Sequence, residues 1–376
     1  MNLSVLVGLY NNLDYTQHFY HSFREIYPTV ELVFVSYGST DDTGIWLNLI
    51  ESIDPNVIVY WENKRKTFSD TYNKAIELAT KDFVVFAHND MVVAPGFLEN
   101  IEKHLHPTNV VSYTTIEPPI FAGHERPDKI IEDYGTDLGS FCYKDFPNFA
   151  AIQRLKYENK TESGITFFMA LSRKVLLDMG GFDNIFNPYF CEDDDLIRRL
   201  KLQNLNCFTS LDAICYHFVS KTSRFSEEAK LKTAEIEQNS NRTYLRKWNS
   251  YNSNNLFNVG FIVKNCDYNL LYHLEPWCSI IYTDYADYKK YIEDNKEKTW
   301  FNLNLRVYPI ENIIDGEKPD IIVKFDASKL TQQKFEFLQN IQNILGEITE
   351  IGEYEFDIFN VEIKELRNYM NDNIYI

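Results

Sequence analysis

The sequence has no paired-cysteine motif and no long apolar run, and each absence narrows the class of protein. Its six cysteines form no C-x-x-C pair, and a chain of 376 residues can build a core without disulfide bridges. A reduced, cytoplasmic setting is therefore expected. No stretch reaches about 18 apolar residues, so no transmembrane helix is expected, and any membrane contact would be peripheral. The segment 1–12 lacks a basic region and predicts a buried strand rather than a signal peptide.

Basic residues are also scarce. Lys and Arg number 37 against 55 Asp and Glu, which gives a formal net charge of −18. Because such a surface repels polyphosphate backbones, a nucleic-acid partner is disfavoured. What the chain has instead is 44% hydrophobic and 15% aromatic residues, enough for packed cores and for ring surfaces that stack on ligands. The length predicts two or three domains.

The first hundred residues alternate short apolar runs with helical patterns. This alternation predicts a doubly wound α/β sheet, mostly parallel, in which ligands bind beyond the carboxyl ends of the strands. Apolar runs of this length are typical of strands buried on both faces. The predicted strands are Leu3–Leu9, Glu31–Ser36, Val57–Trp61 and Asp82–Ala87, and the predicted helices are Asp14–Ile26, Thr43–Ser52 and Ser69–Ala79.

The middle of the chain is less regular. Residues 105–160 carry five prolines and predict a long, irregular functional insert. The elements predicted after it are a strand at Gly164–Leu171, helices at Arg173–Met179 and Glu192–Leu202, a strand at Ala213–Phe218 and a helix at Ser226–Trp248.

A polar segment near residues 250–255 predicts a boundary between two domains. We expect residues 1–250 to form the first domain and residues 256–376 a smaller C-terminal α/β domain whose role the sequence does not indicate. In the smaller domain, helix and strand patterns alternate over Leu270–Trp277, Ser279–Thr283, Asp320–Phe325 and Gln332–Leu345.

Three constellations carry candidate chemistry. His88-Asn89-Asp90 follows an apolar strand, where a carboxylate can hold Mg²⁺ or Mn²⁺ on a diphosphate; a plain Asn-Asp turn is the alternative. Four consecutive acids begin at Glu192, after Gly180–Asp183, and could supply a general base; an ordinary acidic helix start is the alternative. His217 ends a predicted strand and could bind a metal, or be a satisfied core histidine.

The order of these pieces resembles the family 2 glycosyltransferases, the large inverting group with the GT-A fold. Tyr10-Asn11 and the run Tyr37–Asp42 look like the family's nucleotide-binding start, and Thr71–Ile76 looks like its next helix. His88–Asp90 occupies the position of its D-x-D motif, while Gly180–Asp183 with Glu192–Leu196 looks like its G-G-F-D…E-D-x-D-L signature. The resemblance covers about residues 3–250.

The resemblance implies a role for each matching residue. Tyr10 would flank the base of the donor, and Ser39 and Asp41 would line the nucleoside pocket. Asp193 would be the general base, and Glu192 would bind the acceptor or orient that base. Asp90 would ligate the metal, with His217 as a further ligand. The remaining donor-site candidates are Ser36, Lys66, His88 and Asn89, and the tentative acceptor contacts are Glu117, in the insert 114–147, and Asp195.

The implied activity is transfer of a sugar, with inversion, from a UDP-, dTDP- or GDP-sugar to a saccharide, lipid-linked saccharide or glycoprotein, assisted by Mn²⁺ or Mg²⁺. The chain has Ser36 and His88 where the family usually has Asp, which leaves the donor base open and would put most of the metal binding on Asp90. A non-catalytic carbohydrate-binding protein of the same fold therefore stays an alternative. Glycosylation of modified DNA bases is a third possibility, against which the charge argues.

Overall fold

The computed structural model describes residues 1–219, 227–313 and 319–376, and their contacts group into two units. The first unit contains residues 1–236 with 375–376, and the second contains residues 237–374. The long helix Glu227–Trp248 contributes to both. The sequence placed its domain boundary later, at 250–256, and that division stays a prediction.

The first unit has a large mixed sheet of ten strands with helices between them. The strands are β1 Leu3–Leu9, β2 Glu31–Tyr37, β3 Val57–Glu62, β4 Phe83–Ala87, β5 Met91–Val93, β6 Asn109–Glu117, β7 Lys129–Ile131, β8 Thr161–Ser163, β9 Met169–Ser172 and β10 Asn206–His217. The helices are α1 Leu13–Ile26, α2 Thr43–Ile53, α3 Phe68–Leu78, α4 Phe97–Glu102, α5 Pro119–Ala122, α6 Asp145–Lys156, α7 Arg173–Met179, α8 Glu192–Leu202 and α9 Glu227–Trp248. The predicted start of α9, Ser226, lies outside the described residues.

The strand order is β3-β2-β1-β4-β9-β6-β10-β5, with β7 beside β6 and β8 beside β10. Strands β1 to β4 are parallel, and β9 is antiparallel to both β4 and β6, while β10 is parallel to β6. It follows that β1, β4, β6 and β10 all point the same way. Their carboxyl ends therefore meet at one edge of the sheet. This is the predicted GT-A-type α/β architecture, which is confirmed.

The core of this unit comes from alternate residues of the central strands. Val5 and Val7 of β1 are buried together with Phe19 and Phe23, which lie one turn apart on α1. Because side chains of a strand alternate between faces while those of a helix recur every three to four residues, both patterns place their apolar side chains in one layer. The packed layer fixes the strand ends that carry the polar residues.

The insert 105–160 is more regular than predicted. It contains β6, a central strand of the sheet, together with β7 and α6. Ser112, Thr114 and Thr115 of β6 are buried, and the hydroxyls of Ser112 and Thr114 contact the backbone carbonyls of Thr166 and Ser210. These small polar residues interrupt the apolar run by which the sequence would have revealed a buried strand.

The second unit has a six-stranded sheet of its own. Its strands are β11 Val259–Lys264, β12 Ile280–Thr283, β13 Val307–Pro309, β14 Ile321–Asp326, β15 Gly352–Phe356 and β16 Phe359–Ile363. Their order is β13-β12-β11-β14-β16-β15, and the first four are parallel. Its helices are α10 Tyr268–Leu274, α11 Tyr288–Asn295, α12 Gln332–Gln339 and α13 Ile341–Gly346.

A buried carboxylate organises one side of this second unit. Glu275 is fully buried, with Arg246 and Arg306 at 2.7 and 2.8 Å and Arg242 at 3.4 Å. Burial alone would raise the pKa of Glu275, but the three guanidinium groups outweigh it and hold the pKa far below its usual range. The network ties the second half of α9 to the segment after α10.

Candidate active site

Polar side chains collect where the parallel strands of the first unit end. Tyr10 follows β1, His88 follows β4, Glu117 ends β6 and His217 ends β10. Strand β9 pairs only with residues 83–85 of β4 and 110–112 of β6, and so stops short of this edge. The turn after β4 crosses the gap and pairs Met91 with His217.

That crossing brings His88, Asp90 and His217 together, and we call them the His–Asp–His cluster. Their candidate ligand atoms all lie within 4.8 Å of one another. The Nε2 atom of His217 lies 3.4 Å from Oδ1 of Asp90, and Nδ1 of His88 lies 4.0 Å from the same oxygen. Asp90 and His217 are buried, whereas the side chain of His88 is 31% exposed. The cluster is thus open on the His88 side.

The electrostatics of the cluster follow from this packing. Burial would lower the pKa of His217, but the carboxylates of Asp90 and Glu117 outweigh it and raise the pKa to about 9. Burial would raise the pKa of Asp90, yet the two imidazoles bring it down to about 2. His88 has no such compensation, and desolvation lowers its pKa to about 4 despite the nearby Asp90. Asp90 is therefore a permanent anion near neutral pH, and His88 is a neutral imidazole.

This donor set fits a divalent cation. One carboxylate and two imidazoles form a nitrogen and oxygen ligand set that suits Mn²⁺ better than Mg²⁺, which prefers oxygen. The sequence predicted Asp90 and His217 as metal ligands and His88 as a donor contact. The structure brings all three into one candidate metal site, so His88 has a second possible role.

Aromatic rings form the floor beside His88. The ring centroids of Phe167 and Phe168 both lie 5.0 Å from that of His88. The sequence predicted these residues only as part of the strand Gly164–Leu171 and indicated no role for them at the site. Their desolvating surface is one reason that the pKa of His88 is low.

A network of hydrogen bonds joins the loops after β1 and β2. The Asn11 amide donates to Ser39 Oγ at 2.8 Å, and the Thr40 amide donates to Oδ1 of Asn11 at 2.7 Å. The Leu13 amide donates to the carboxylate of Asp41 at 3.2 Å. Ser39 and Asp41, predicted to line the nucleoside pocket, therefore join the loop after β1 to the loop after β2.

Ser36, predicted as a donor contact, lies below this network. Its side chain is 1% exposed, and its Oγ lies 2.8 Å from Oγ of Ser39. It supports Ser39 and presents no charge where the related family usually has a carboxylate. Asn89, another predicted donor contact, turns its amide toward Thr16 Oγ1 at 2.9 Å and so ties the β4 turn to α1.

The ring of Tyr10 is covered on one face by the guanidinium group of Arg65. The guanidinium carbon of Arg65 lies 3.5 Å from the centroid of the Tyr10 ring, and Arg65 also donates to the Tyr37 carbonyl. Gly38 permits this approach, because a Cβ at that position would lie 2.7 Å from the Arg65 backbone. Lys66, the predicted donor-site lysine, instead lies over the Tyr37 ring and 3.6 Å from Glu62.

The acidic segment begins α8 as predicted. Phe190 and Cys191 precede it with φ angles of 78° and 67°, a left-handed conformation that is costly for residues other than glycine. Desolvation and the neighbouring Asp194 raise the pKa of Asp193 to about 6. Desolvation and Asp193 hold the pKa of the buried Glu192 well above its usual range. One buried oxygen of Glu192, Oε2, has no hydrogen-bond partner within the described residues.

Two predicted acceptor residues have other contacts. Asp195 is fully buried and binds the Nε atom of Arg199 at 2.8 Å, a spacing of four residues along α8. Arg199 in turn donates to the carbonyl of Gly181 at 2.7 Å. Glu117 lies behind His217, with its Oε1 atom 3.1 Å from Nδ1. Neither carboxylate faces solvent.

The Gly-Gly-Phe-Asp segment is linked to the cluster through aromatic contacts. The side chain of Asn73 pairs with both backbone polar groups of Phe182, at 2.7 and 2.8 Å. The Phe182 ring lies 6.1 Å from that of Phe68, which lies 6.4 Å from the ring of His88. The Phe68 amide also donates to the carbonyl of Pro188, two residues before the strained turn. The loop leading into α8 and the turn after β4 therefore both contact the group of aromatic side chains around Phe68.

Part of the first unit is similar to a known protein family. The family model described as glycosyl transferase family 2 matches residues 4–180, and the resemblance drawn from the motifs is confirmed over that segment. The acidic residues of α8 lie beyond the matched segment. No curated protein matches the chain with significant similarity.

Solved structures with a similar chain include two nucleotide-sugar complexes. The mannosyltransferase PcManGT from Pyrobaculum calidifontis, with GDP-Man and Mn²⁺, has 21% identity and a TM-score of 0.45 over 65% of this chain and 63% of its own. TarS residues 1–349 from S. aureus, with UDP-GlcNAc, has 17% identity and a TM-score of 0.43 over 61% of each chain. The chain thus spans just over three fifths of these structures. Within the described residues, no helix combines the length and apolarity that a membrane span requires.

Proposed function

We propose that the protein is an inverting glycosyltransferase that moves a sugar from a nucleotide-sugar to a hydroxyl group. The donor would be a UDP-, dTDP- or GDP-sugar, and the acceptor a saccharide, a lipid-linked saccharide or a glycoprotein. The observation that carries the proposal is the His–Asp–His cluster at the carboxyl edge of the sheet that matches the family 2 model. The candidate ligand atoms of this cluster all lie within 4.8 Å of one another. That edge is where α/β sheets bind ligands.

The cluster would hold a divalent cation on the donor diphosphate. Asp90 would supply the charged ligand and His217 an imidazole nitrogen, with His88 completing the set or contacting phosphate. When bound, the cation would supply positive charge against the negative charge that develops on the leaving diphosphate. Mn²⁺ is the better candidate for these nitrogen and oxygen ligands.

Asp193 would be the general base. As the acceptor oxygen forms its bond to the anomeric carbon, the bond from that carbon to the diphosphate breaks, and the hydroxyl proton moves to the Asp193 carboxylate. A single displacement of this kind inverts the anomeric centre. A pKa near 6 supports the assignment, because the carboxylate is ionised at neutral pH yet is more basic than an ordinary aspartate.

Other residues would bind the two substrates. The Tyr10–Arg65 pair and the loops joined by Ser39 and Asp41 would form the nucleoside end of the pocket. Glu192 would bind the acceptor, because a hydroxyl group there would satisfy its unpartnered oxygen. The uncharged Ser36 would read the base or ribose less strictly than a carboxylate does.

The test is donor turnover with and without metal. The full chain is incubated with UDP-, dTDP- and GDP-sugars with Mn²⁺ or EDTA, and released nucleoside diphosphate is measured. We expect Mn²⁺-dependent turnover of at least one donor, lost in Asp90→Ala and in the near-isosteric Asp90→Asn. The exposed Asp178 serves as the control position, because Asp178→Ala removes only a surface pair with Lys174.

The outcome separates the alternatives named from the sequence. Saccharide binding without turnover of any donor would favour a non-catalytic carbohydrate-binding protein. Salt-sensitive binding of DNA would favour a nucleic-acid acceptor. Turnover that persists in EDTA and in both Asp90 variants would refute the metal assignment.

A further inference from the structure

Glu117 makes a set of contacts that an acceptor ligand would not need. It is the last residue of β6, it is 8% exposed, and its Oε1 atom lies 3.1 Å from Nδ1 of His217. We infer that Glu117 is a positioning residue, which fixes the ring of His217 so that its Nε2 atom faces the metal site. The inference rests on the proposed function, because it deepens the metal site proposed there.

The two nitrogens of the His217 ring face two different carboxylates. Nδ1 is held by Glu117, while Nε2 lies 3.4 Å from Asp90, in the His–Asp–His cluster. When a cation takes the place of the proton on Nε2, the ring can keep its Nδ1–H bond to Glu117, and Nε2 is then the atom that ligates. Carboxylate partners of metal-binding histidines act in this way, since they set both the tautomer and the ring orientation.

Glu117 is itself held by groups outside the cluster. Thr115 donates its hydroxyl to Oε1 at 3.2 Å, and Nζ of Lys129 lies 3.9 Å from Oε2. The backbone adds to this, because the Glu132 amide donates to the Glu117 carbonyl at 3.1 Å. Both carboxylate oxygens are therefore engaged on the protein side, and the residue is anchored whether or not a ligand is present.

The experiment measures metal binding and not only activity. Mn²⁺ affinity of the full chain is determined by calorimetry, and the ¹⁴N coupling of bound Mn²⁺ is recorded by pulsed electron paramagnetic resonance. The variants are Glu117→Ala and the near-isosteric Glu117→Gln, with His217→Ala as the reference for a lost nitrogen ligand. The matched control is Glu132→Gln, since Glu132 is exposed and only its backbone contacts Glu117. Thermal melting establishes that each variant is folded.

We expect Glu117→Ala to weaken Mn²⁺ binding about 10- to 100-fold and to reduce the nitrogen coupling toward that of His217→Ala. Glu117→Gln should fall between Glu117→Ala and the wild type, because its single oxygen can serve His217 or Lys129 but not both. If Glu117→Ala does not fold, Glu117→Gln decides. Glu132→Gln should bind as the wild type does.

Three results would count against the inference or its basis. Wild-type affinity in the folded Glu117 variants would overturn the positioning role and leave the proposed function intact. Weaker binding with unchanged nitrogen coupling would also overturn it, because His217 would then still ligate. Absence of Mn²⁺ binding by the wild type would instead remove the metal site itself, and with it the proposed function as stated.

Discussion

Two aspartates at the candidate site are driven in opposite directions by their surroundings. Asp90 lies between two imidazoles, and its pKa falls to about 2 despite burial. Asp193 is desolvated beside another acid, and its pKa rises to about 6. A pair of identical groups with separated pKa values is the usual mark of divided chemical roles. Here one carboxylate suits a permanent metal ligand, and the other suits a base.

Replacement of the proposed base should separate binding from chemistry. Asp193→Asn removes the proton acceptor but keeps the shape of the side chain, so we expect donor affinity to persist and transfer to fall about 10²- to 10⁴-fold. Calorimetric titration with a nucleoside diphosphate and a transfer assay measure the two quantities. Near wild-type transfer would rule out Asp193 as the base, whichever donor is used.

The pH dependence tests the same residue without removing it. Asp193 accepts a proton only when ionised, so kcat/KM should rise with pH through about 6 and level off above it. Asp194→Asn removes the neighbouring charge that helps to raise this pKa, so the rise should move to lower pH. The check is a pH–rate profile of both proteins. A midpoint that does not move would contradict the electrostatic coupling.

The sequence was informative about single residues wherever the fold supplies a fixed place for them. Asp90 and His217 could be predicted because each follows a strand, and strand ends in an α/β sheet converge. The partners of Glu117 could not be predicted, since they depend on β6 lying beside β10, which the sequence did not reveal. The pairing of Asp195 with Arg199 was easier to predict from the sequence, because Arg199 lies four residues later on a predicted helix.

At the scale of elements, β9 has an effect out of proportion to its four residues. Because it pairs only with residues 83–85 of β4 and 110–112 of β6, it leaves room at the carboxyl edge, where Phe167 and Phe168 contact His88. The predicted strand at Gly164–Leu171 overlaps β9 but begins too early. Periodicity could not mark its start, because consecutive phenylalanines suit a strand as well as a loop.

The Gly-Gly turn before Phe182 gives a prediction for an element. Gly181 has a φ of 75°, and a Cβ there would lie 2.2 Å from Oδ1 of Asn73. Gly181→Ala should therefore break the two hydrogen bonds of Asn73 to Phe182 and lower both stability and transfer. We expect a loss of about 1–3 kcal/mol beyond the cost of the backbone conformation, because buried polar groups are left unpaired.

The control for this variant is Gly123→Ala. Gly123 has a φ of 63° and a ψ of −116°, and among the described residues its Cβ would meet nothing closer than Nζ of Lys129 at 4.0 Å, so Gly123→Ala measures the cost of a positive φ without a steric contact. Denaturant unfolding of both variants gives the difference. Equal losses of unfolding free energy would mean that the contact with Asn73 contributes nothing.

At the scale of the whole molecule, the two units share a strand order. In each, the first four parallel strands run in the order third, second, first, fourth. In each, an asparagine with a φ of 54° follows the central strand, at Asn11 and at Asn265. The loop after the neighbouring strand then bonds to this turn: the Asp41 backbone amide donates to Oδ1 of Asn11 in the first unit, and the Asn265 backbone amide donates to the carboxylate of Asp284 in the second. The sequence did not reveal this likeness, because the connecting segments differ in length.

The second unit should depend on its buried carboxylate. Glu275→Leu leaves three guanidinium groups without their shared partner, so we expect the unfolding free energy of the second unit to fall by about 3–5 kcal/mol. Asp294→Asn is the control, because it removes an exposed pair with Lys290 rather than a buried one. Denaturant unfolding measures both, and a loss no larger than that of the control would exclude a structural role for the network.

The ion pair between Asp195 and Arg199 has a consequence for how α8 can change. Buried pairs of opposite charge can often be exchanged for apolar side chains of similar volume with little loss. Here Arg199 also donates to the carbonyls of Gly181 and Met179, at 2.7 and 3.4 Å. An apolar exchange would leave the Gly181 carbonyl in the interior without this donor, whereas the Met179 carbonyl would keep the Ile376 amide. The aspartate and the arginine can therefore be replaced together only by a pair that still reaches the glycine turn.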